Sequence, residues 1–188
     1  MPKVLVPLAD GCEELEAVTI IDLLRRAGVE VVVAGLKPGI IKASRGVSLV
    51  PDCTLDAALH ESYDMLVLPG GMPGMTHLRE DARIRSLLQK LASEGKYTCA
   101  ICAAPVVLAE AGLLDNKSAT SYPGFLDSMN LATTKLSDAP VVVDGKIITS
   151  RGPGTAMDFA LELVLALCGQ ARRDEVEAGL QRTTLPKG

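Results

Sequence analysis

The chain has 188 residues, 48% of them hydrophobic and 22% charged, a composition that fits one sizeable domain over residues 1–188 with an ordinary core, no linker and no internal repeat. Its 19 basic and 23 acidic residues leave a formal charge of −4, and the basic ones are scattered, so nothing favours nucleic acid or an anionic membrane over small, weakly charged ligands. No apolar run approaches the ~20 residues of a membrane span, and a first strand beginning at Lys3 or Val4 carries the expectation that no leader precedes it. Five irregularly spaced cysteines, an odd count, point to reduced thiols, and the expectation is a cytoplasmic protein.

In chain order, Val4–Leu8 reads as a buried strand, Ala9-Asp10-Gly11 as a turn, and about Glu13 to Ala27 as a helix ended by Gly28. Val29–Leu36 is the next strand. Pro38-Gly39 marks a turn, and Ile40–Ala43 with Val47–Val50 predicts a small hairpin around Arg45-Gly46. Met65–Leu68 is a third apolar strand, closed by Pro69-Gly70-Gly71; a helix follows near Asp81–Ser93. Tyr97–Ile101 is a strand and Ala103–Ala111 a helix, with Pro105 in its first turn, where a missing N–H costs nothing. Val141–Val143 and Ile147–Thr149, around Asp144-Gly145, predict a hairpin with a primed turn, and Gly154–Leu167 a long apolar helix. This alternation predicts an α/β fold with a mostly parallel sheet covered by helices on both faces.

The first helix is apolar at Leu15, Ala17, Val18, Ile20, Ile21, Leu23 and Leu24, a band too wide for one buried face. A second copy of the chain, or deep burial within one chain, would cover it equally well.

The chemistry-bearing feature is Cys102, where a strand turns directly into a helix. Ala100 and Ala104 flank it at two residues on either side, the small-x-nucleophile-x-small spacing of a nucleophile elbow. A thiolate at a helix N-terminus is stabilised by free amides, so its pKa is expected below the free value of roughly 8.5; a buried structural cysteine is the competing reading. Cys99 and Cys102 match C-x-x-C, but an extended strand would set their Cα atoms roughly 10 Å apart, beyond disulfide reach. His60 and His77 read as surface residues and supply neither a zinc ligand set nor a Cys-His pair.

Ligands of open parallel sheets bind where the loops after the strands converge. Here those loops carry Cys12, Glu13, Glu14 and Glu16, then Gly70 and Gly71, then Cys102. The two glycines would let backbone amides approach a substrate oxygen, forming an oxyanion site with the Ala103 N–H, or would simply make a tight turn. Each glutamate also suits the first turn of a helix on dipole grounds alone, and periodicity does not choose among them. Gly152-Pro153-Gly154, between Arg151 and Thr155, either flanks the pocket or caps the last long helix.

Four segments, Ala9–Glu16, Leu68–Gly71, Ala100–Pro105 and Thr149–Thr155, together resemble the ThiJ/PfpI superfamily, in the branch of the Parkinson-disease protein (DJ-one). The match runs in order over about residues 3 to 180. The resemblance implies a flavodoxin-like sandwich, usually a homodimer, with Cys102 as the reactive cysteine and Glu16 as a protonated carboxyl touching it. It also implies substrate-side amides from Gly71 and Ala103 beside Gly70, and no metal, flavin or nucleotide cofactor. The activities it implies are a glutathione-independent glyoxalase acting on small α-oxoaldehydes, a deglycase acting on glycated adducts, and an oxidative-stress sensor or chaperone working through oxidation of Cys102.

Two departures stand out. The residue after the nucleophile is Ala103 rather than the histidine of the peptidase branch, which argues against proteolysis. Thr120-Ser121-Tyr122-Pro123 carries Tyr122 where many relatives have histidine; a phenol with pKa about 10 donates a hydrogen bond but is a poor base at neutrality.

Overall fold

A computed structural model describes residues 1–182; the last six residues of the predicted domain lie outside the described ones. The chain runs β1 (Lys3–Leu8), α1 (Glu14–Arg26), β2 (Glu30–Gly35), β3 (Ile41–Lys42), β4 (Ser48–Leu49), β5 (Cys53–Thr54), α2 (Leu55–Ala58), β6 (Met65–Leu68), α3 (Gly74–Glu80), α4 (Ala82–Ser93) and β7 (Tyr97–Ile101). It continues with α5 (Pro105–Glu110), β8 (Ser118–Ala119), β9 (Lys135–Leu136), β10 (Val141–Asp144), β11 (Ile147–Ser150), α6 (Ala156–Cys168) and α7 (Gln170–Gly179).

Seven strands form the main sheet in the order β10-β11-β7-β6-β1-β2-β5, parallel throughout except for the β10–β11 hairpin. The central strands are Val/Leu/Ile-rich because both faces are covered: all four residues of β6 are buried, and so are the last five of β1. β1-α1-β2 crosses in one direction along the sheet and β6-α3-α4-β7 in the other. Right-handed crossovers therefore put α1 on one face and α4 on the opposite one. On the first face α1 packs on α6, and on the second α3 touches both α4 and α5. Full burial of each large side chain at these layers, such as Ile20, Leu24 and Phe159, contributes about 1.5–3 kcal/mol.

The helix band divides in two. Ala17, Ile20, Leu23 and Leu24 are buried within the chain, whereas Leu15 and Val18 are about half exposed. The predicted hairpins form, with Ile41 opposite Leu49 and Val141 opposite Ser150. The second turns one residue later than predicted: Asp144 pairs with Ile147, leaving Gly145, at φ 64°, as the first central residue of the primed turn. No helix among the described residues is long and apolar enough to cross a membrane.

The sheet order reverses between β1 and β6, and the loops that leave the carboxyl ends of β1, β6 and β7 meet at this switch point.

Candidate active site

Cys102 directly follows β7 and has φ 64°, a left-handed conformation that costs a residue with a Cβ about 1–3 kcal/mol. Three tethers hold it there. Its N–H donates to the Ser150 carbonyl at 2.9 Å, its own carbonyl accepts from the Tyr122 N–H at 2.8 Å, and the next residues close a turn through the Ala104 N–H to the Ile101 carbonyl at 3.0 Å. Pro105 then opens α5 at a position that needs no N–H. The residue is 9% exposed, and the backbone amides of Gly71 and Ala103 lie near its sulfur, where they favour the thiolate.

Glu16, on the first turn of α1, is completely buried. Its Oε2 accepts from the Gly70 N–H at 2.8 Å, the carboxyl lies beside the Cys102 thiol, and its Oε1 has no hydrogen-bond partner among the described residues. A signal for this residue was present in the helix period: Glu16, Ile20, Leu23 and Leu24 fall at i, i+4, i+7 and i+8, so Glu16 lies on the core face. Periodicity therefore does choose against Glu14. That residue instead ties the β3–β4 turn to α1, accepting from the amides of Arg45 at 2.9 Å and Val47 at 3.3 Å. Glu13 reaches the Ser44 hydroxyl at 2.9 Å.

The two glycines have different tasks. The Gly70 amide is spent on Glu16, so it is not available as an oxyanion donor. A Cβ at Gly70 would come within 2.7 Å of the Cys102 Cβ and 3.0 Å of Glu16 Oε2, so the bare backbone is what lets thiol and carboxyl meet. Gly71, at φ 90°, turns its amide to the sulfur, and a side chain there would collide with the Glu13 backbone.

Burial raises Glu16 to about 7, opposed by the Gly70 amide and the Cys102 thiol and assisted by the charge of Glu13. Cys102 is pushed up to about 12, first by burial and then by the charge and hydrogen bond of Glu16, against the pull of the Gly71 and Ala103 amides. The amides expected to favour the thiolate lie near the sulfur, while burial beside a carboxylate pulls the other way. Two of the three upward causes vanish when Glu16 carries its proton. Thiol and carboxyl therefore titrate as one unit that gains its first negative charge as pH rises through neutrality, and the thiolate form is the one with Glu16 protonated.

Tyr122 meets the elbow through its backbone. Its ring is 47% exposed, packs against Gly152 and edge-on to Phe125, and its hydroxyl has no hydrogen bond among the described residues. Thr155 caps the loop before α6, bonding the Ser150 hydroxyl at 2.7 Å and the Gly152 N–H at 3.1 Å. The carbonyl of Ser150 was missed from sequence because a backbone acceptor leaves no residue-type signal. His60 and His77 are both exposed, with His77 Nδ1 bonded to the Asp10 carbonyl. All five cysteines are free thiols.

The sequence pattern of the DJ-1/PfpI family matches residues 2–166. The chain is 44% identical to protein dj-1beta of Drosophila melanogaster over 94% of this chain and 95% of that one. It is 35% identical to the glutathione-independent glyoxalase DJR-1.2 of Caenorhabditis elegans, over 92% and 91% of the two chains. The solved structure of oxidized Toxoplasma gondii DJ-1 superposes with a TM-score of 0.92 at 41% identity, covering 98% of this chain and all of that one, so the sheet and its helices form a flavodoxin-like sandwich of the DJ-1 type. On fold and sequence together, the chain belongs to the DJ-1/PfpI family.

Proposed function

We propose that the protein is a cofactor-independent glyoxalase that converts methylglyoxal to lactate and glyoxal to glycolate, with deglycation of early glycated adducts as a related activity. The observation that carries this reading is the convergence on one sulfur of a buried carboxyl, Glu16, and two backbone amides, from Gly71 and Ala103. A relative 35% identical to this chain is named as a glutathione-independent glyoxalase.

In this mechanism the Cys102 thiolate attacks the aldehyde carbon, and the oxygen that gains charge faces the Gly71 and Ala103 amides. Glu16 gives its proton to that oxygen, producing a hemithioacetal. The resulting carboxylate removes the C1 proton, leaving an enediolate, within which the hydroxyl proton passes from the first oxygen to the second. Glu16 returns its proton to C2, leaving a hydroxyacyl thioester. Water cleaves the thioester, releases the hydroxy acid and restores the thiol. Every proton in the sequence is carried by Glu16, the substrate or water, and Tyr122 has no required step.

Lactate formation from methylglyoxal without added thiol tests the reading. Wild type is expected to turn over and Cys102→Ser to fall to the background rate; an undiminished Cys102→Ser rate would overturn the cysteine mechanism.

A second reading uses the same sulfur as an oxidative-stress sensor or the trigger of a chaperone. The Gly71 and Ala103 amides and the Glu16 proton would stabilise a sulfinate there, and the related Toxoplasma gondii structure is of an oxidized form. In either reading the working unit is a homodimer. The half-exposed Leu15 and Val18 of α1 sit near the hairpin that Glu14 ties to it, which carries exposed Val47 and Val50, and a second copy would cover this patch. Light scattering that finds wild type monomeric, or Val18→Glu still dimeric, would count against that assembly. Five free thiols suit a reducing compartment such as the cytoplasm.

A further inference from the structure

A cavity of about 90 Å³ lies beside the elbow, between the Thr120–Pro123 segment and Arg151. Both walls are tied to Cys102: Tyr122 donates its N–H to the Cys102 carbonyl at 2.8 Å, and Ser150, immediately before Arg151, accepts the Cys102 N–H at 2.9 Å. Its charged groups are one cation, Arg151, and two anions, Asp127 and Asp138. Arg151 Nη1 donates to Asp138 Oδ1 at 2.8 Å, but the Asp138 side chain is fully exposed, and an ion pair of that kind is weak and readily exchanged. Asp127 Oδ1 accepts from the Gly124 N–H at 2.7 Å.

We infer that this cavity binds a small zwitterionic α-amino acid, with its carboxylate on the Arg151 fork and its ammonium between Asp138 and Asp127. A plain carboxylate would face two aspartates, and a plain amine would face the guanidinium; a zwitterion satisfies both signs. The planar guanidinium matches a carboxylate in two parallel hydrogen bonds. The space is small and half open, which suits an amino acid with a compact side chain such as glycine's or alanine's. The ligand would press on both segments that hold Cys102 in its left-handed conformation, so its binding would be felt at the thiol. None of these side chains takes part in the glyoxalase steps, and the site stands whether or not that reaction is the right one.

Isothermal titration of alanine into the Cys102→Ser protein tests the site without turnover. Saturable binding is expected, with alaninamide and N-acetylalanine each weaker. Arg151→Gln and Asp138→Asn are each expected to weaken alanine by about tenfold or more. The second of these alters a fully exposed side chain, so a folding defect in the first leaves the test intact. Absence of saturation with alanine, equal affinity for either blocked analogue, or unchanged affinity in Asp138→Asn would overturn the proposal.

Discussion

The Gly70 N–H donates to Glu16 Oε2 at 2.8 Å, while the other oxygen of the same buried carboxyl has no hydrogen-bond partner among the described residues. One backbone amide thus fixes where the carboxyl sits, and it leaves open a position from which a proton can leave and return. The same glycine lets the Cys102 Cβ come close, so loop β6–α3 sets the distance between acid and nucleophile.

Stability should depend on pH through Glu16. Its pKa is about 7 when folded and near the ordinary 4.5 when unfolded, so between those values the folded chain holds a proton the unfolded chain has lost. The contribution is fully present below pH 4.5 and lost as pH rises through 7, amounting to at most about 3 kcal/mol. Urea unfolding is expected to show Glu16→Gln gaining stability relative to wild type on going from pH 5 to pH 8. A pH-independent difference between the two proteins would contradict the assignment.

Glu16→Gln keeps an oxygen for the Gly70 amide but cannot carry a proton between carbons. Turnover of methylglyoxal is expected to fall about 10²–10⁴-fold, chiefly in kcat. If kcat held and only KM rose, Glu16 would be a binding group rather than the proton carrier.

Gly70→Ala is expected to fold with a loss of about 1–3 kcal/mol, because the new methyl crowds the Cys102 Cβ, the Ile101 carbonyl and Glu16 Oε2 together. The thermal melt measures that cost, and the lactate assay should show nearly all activity gone. Retained activity would mean that the thiol–carboxyl distance does not matter.

Strain at Cys102 predicts an inverse effect. Cys102→Gly removes the left-handed penalty, whereas Cys102→Ala keeps it, so the glycine variant is expected to be more stable by about 1 kcal/mol though equally inactive. Tyr122→Phe, which removes a hydroxyl without a hydrogen bond among the described residues, is expected to leave turnover within about twofold of wild type.

Much of this arrangement is readable from residue types. Pro105 after an apolar strand places the elbow, Gly28 ends α1, and the core face of α1 includes Glu16. Other elements leave little trace. α3 opens at Gly74 and shows only one apolar pair at helical spacing, Met75 and Leu78, α7 buries only Val176, and β5 is two residues long and joins the sheet through Ala34–Cys53 and Gly35–Thr54 pairing alone. The direction of the Cys102 pKa shift was equally hidden. Helix amides are local and legible, while burial and the proximity of Glu16 arise from segments 86 residues apart in the chain, brought together only by the sheet order.

The most direct measurement is the ultraviolet thiolate absorbance of wild type minus Cys102→Ser, titrated alongside Glu16→Gln minus its own Cys102→Ser double variant. The sharing of one charge predicts a partial step around neutrality in wild type, completed only at strongly alkaline pH, and a single full step in the Glu16→Gln background. Identical single steps of full amplitude in both backgrounds would contradict it, since sulfur and carboxyl would then be titrating independently.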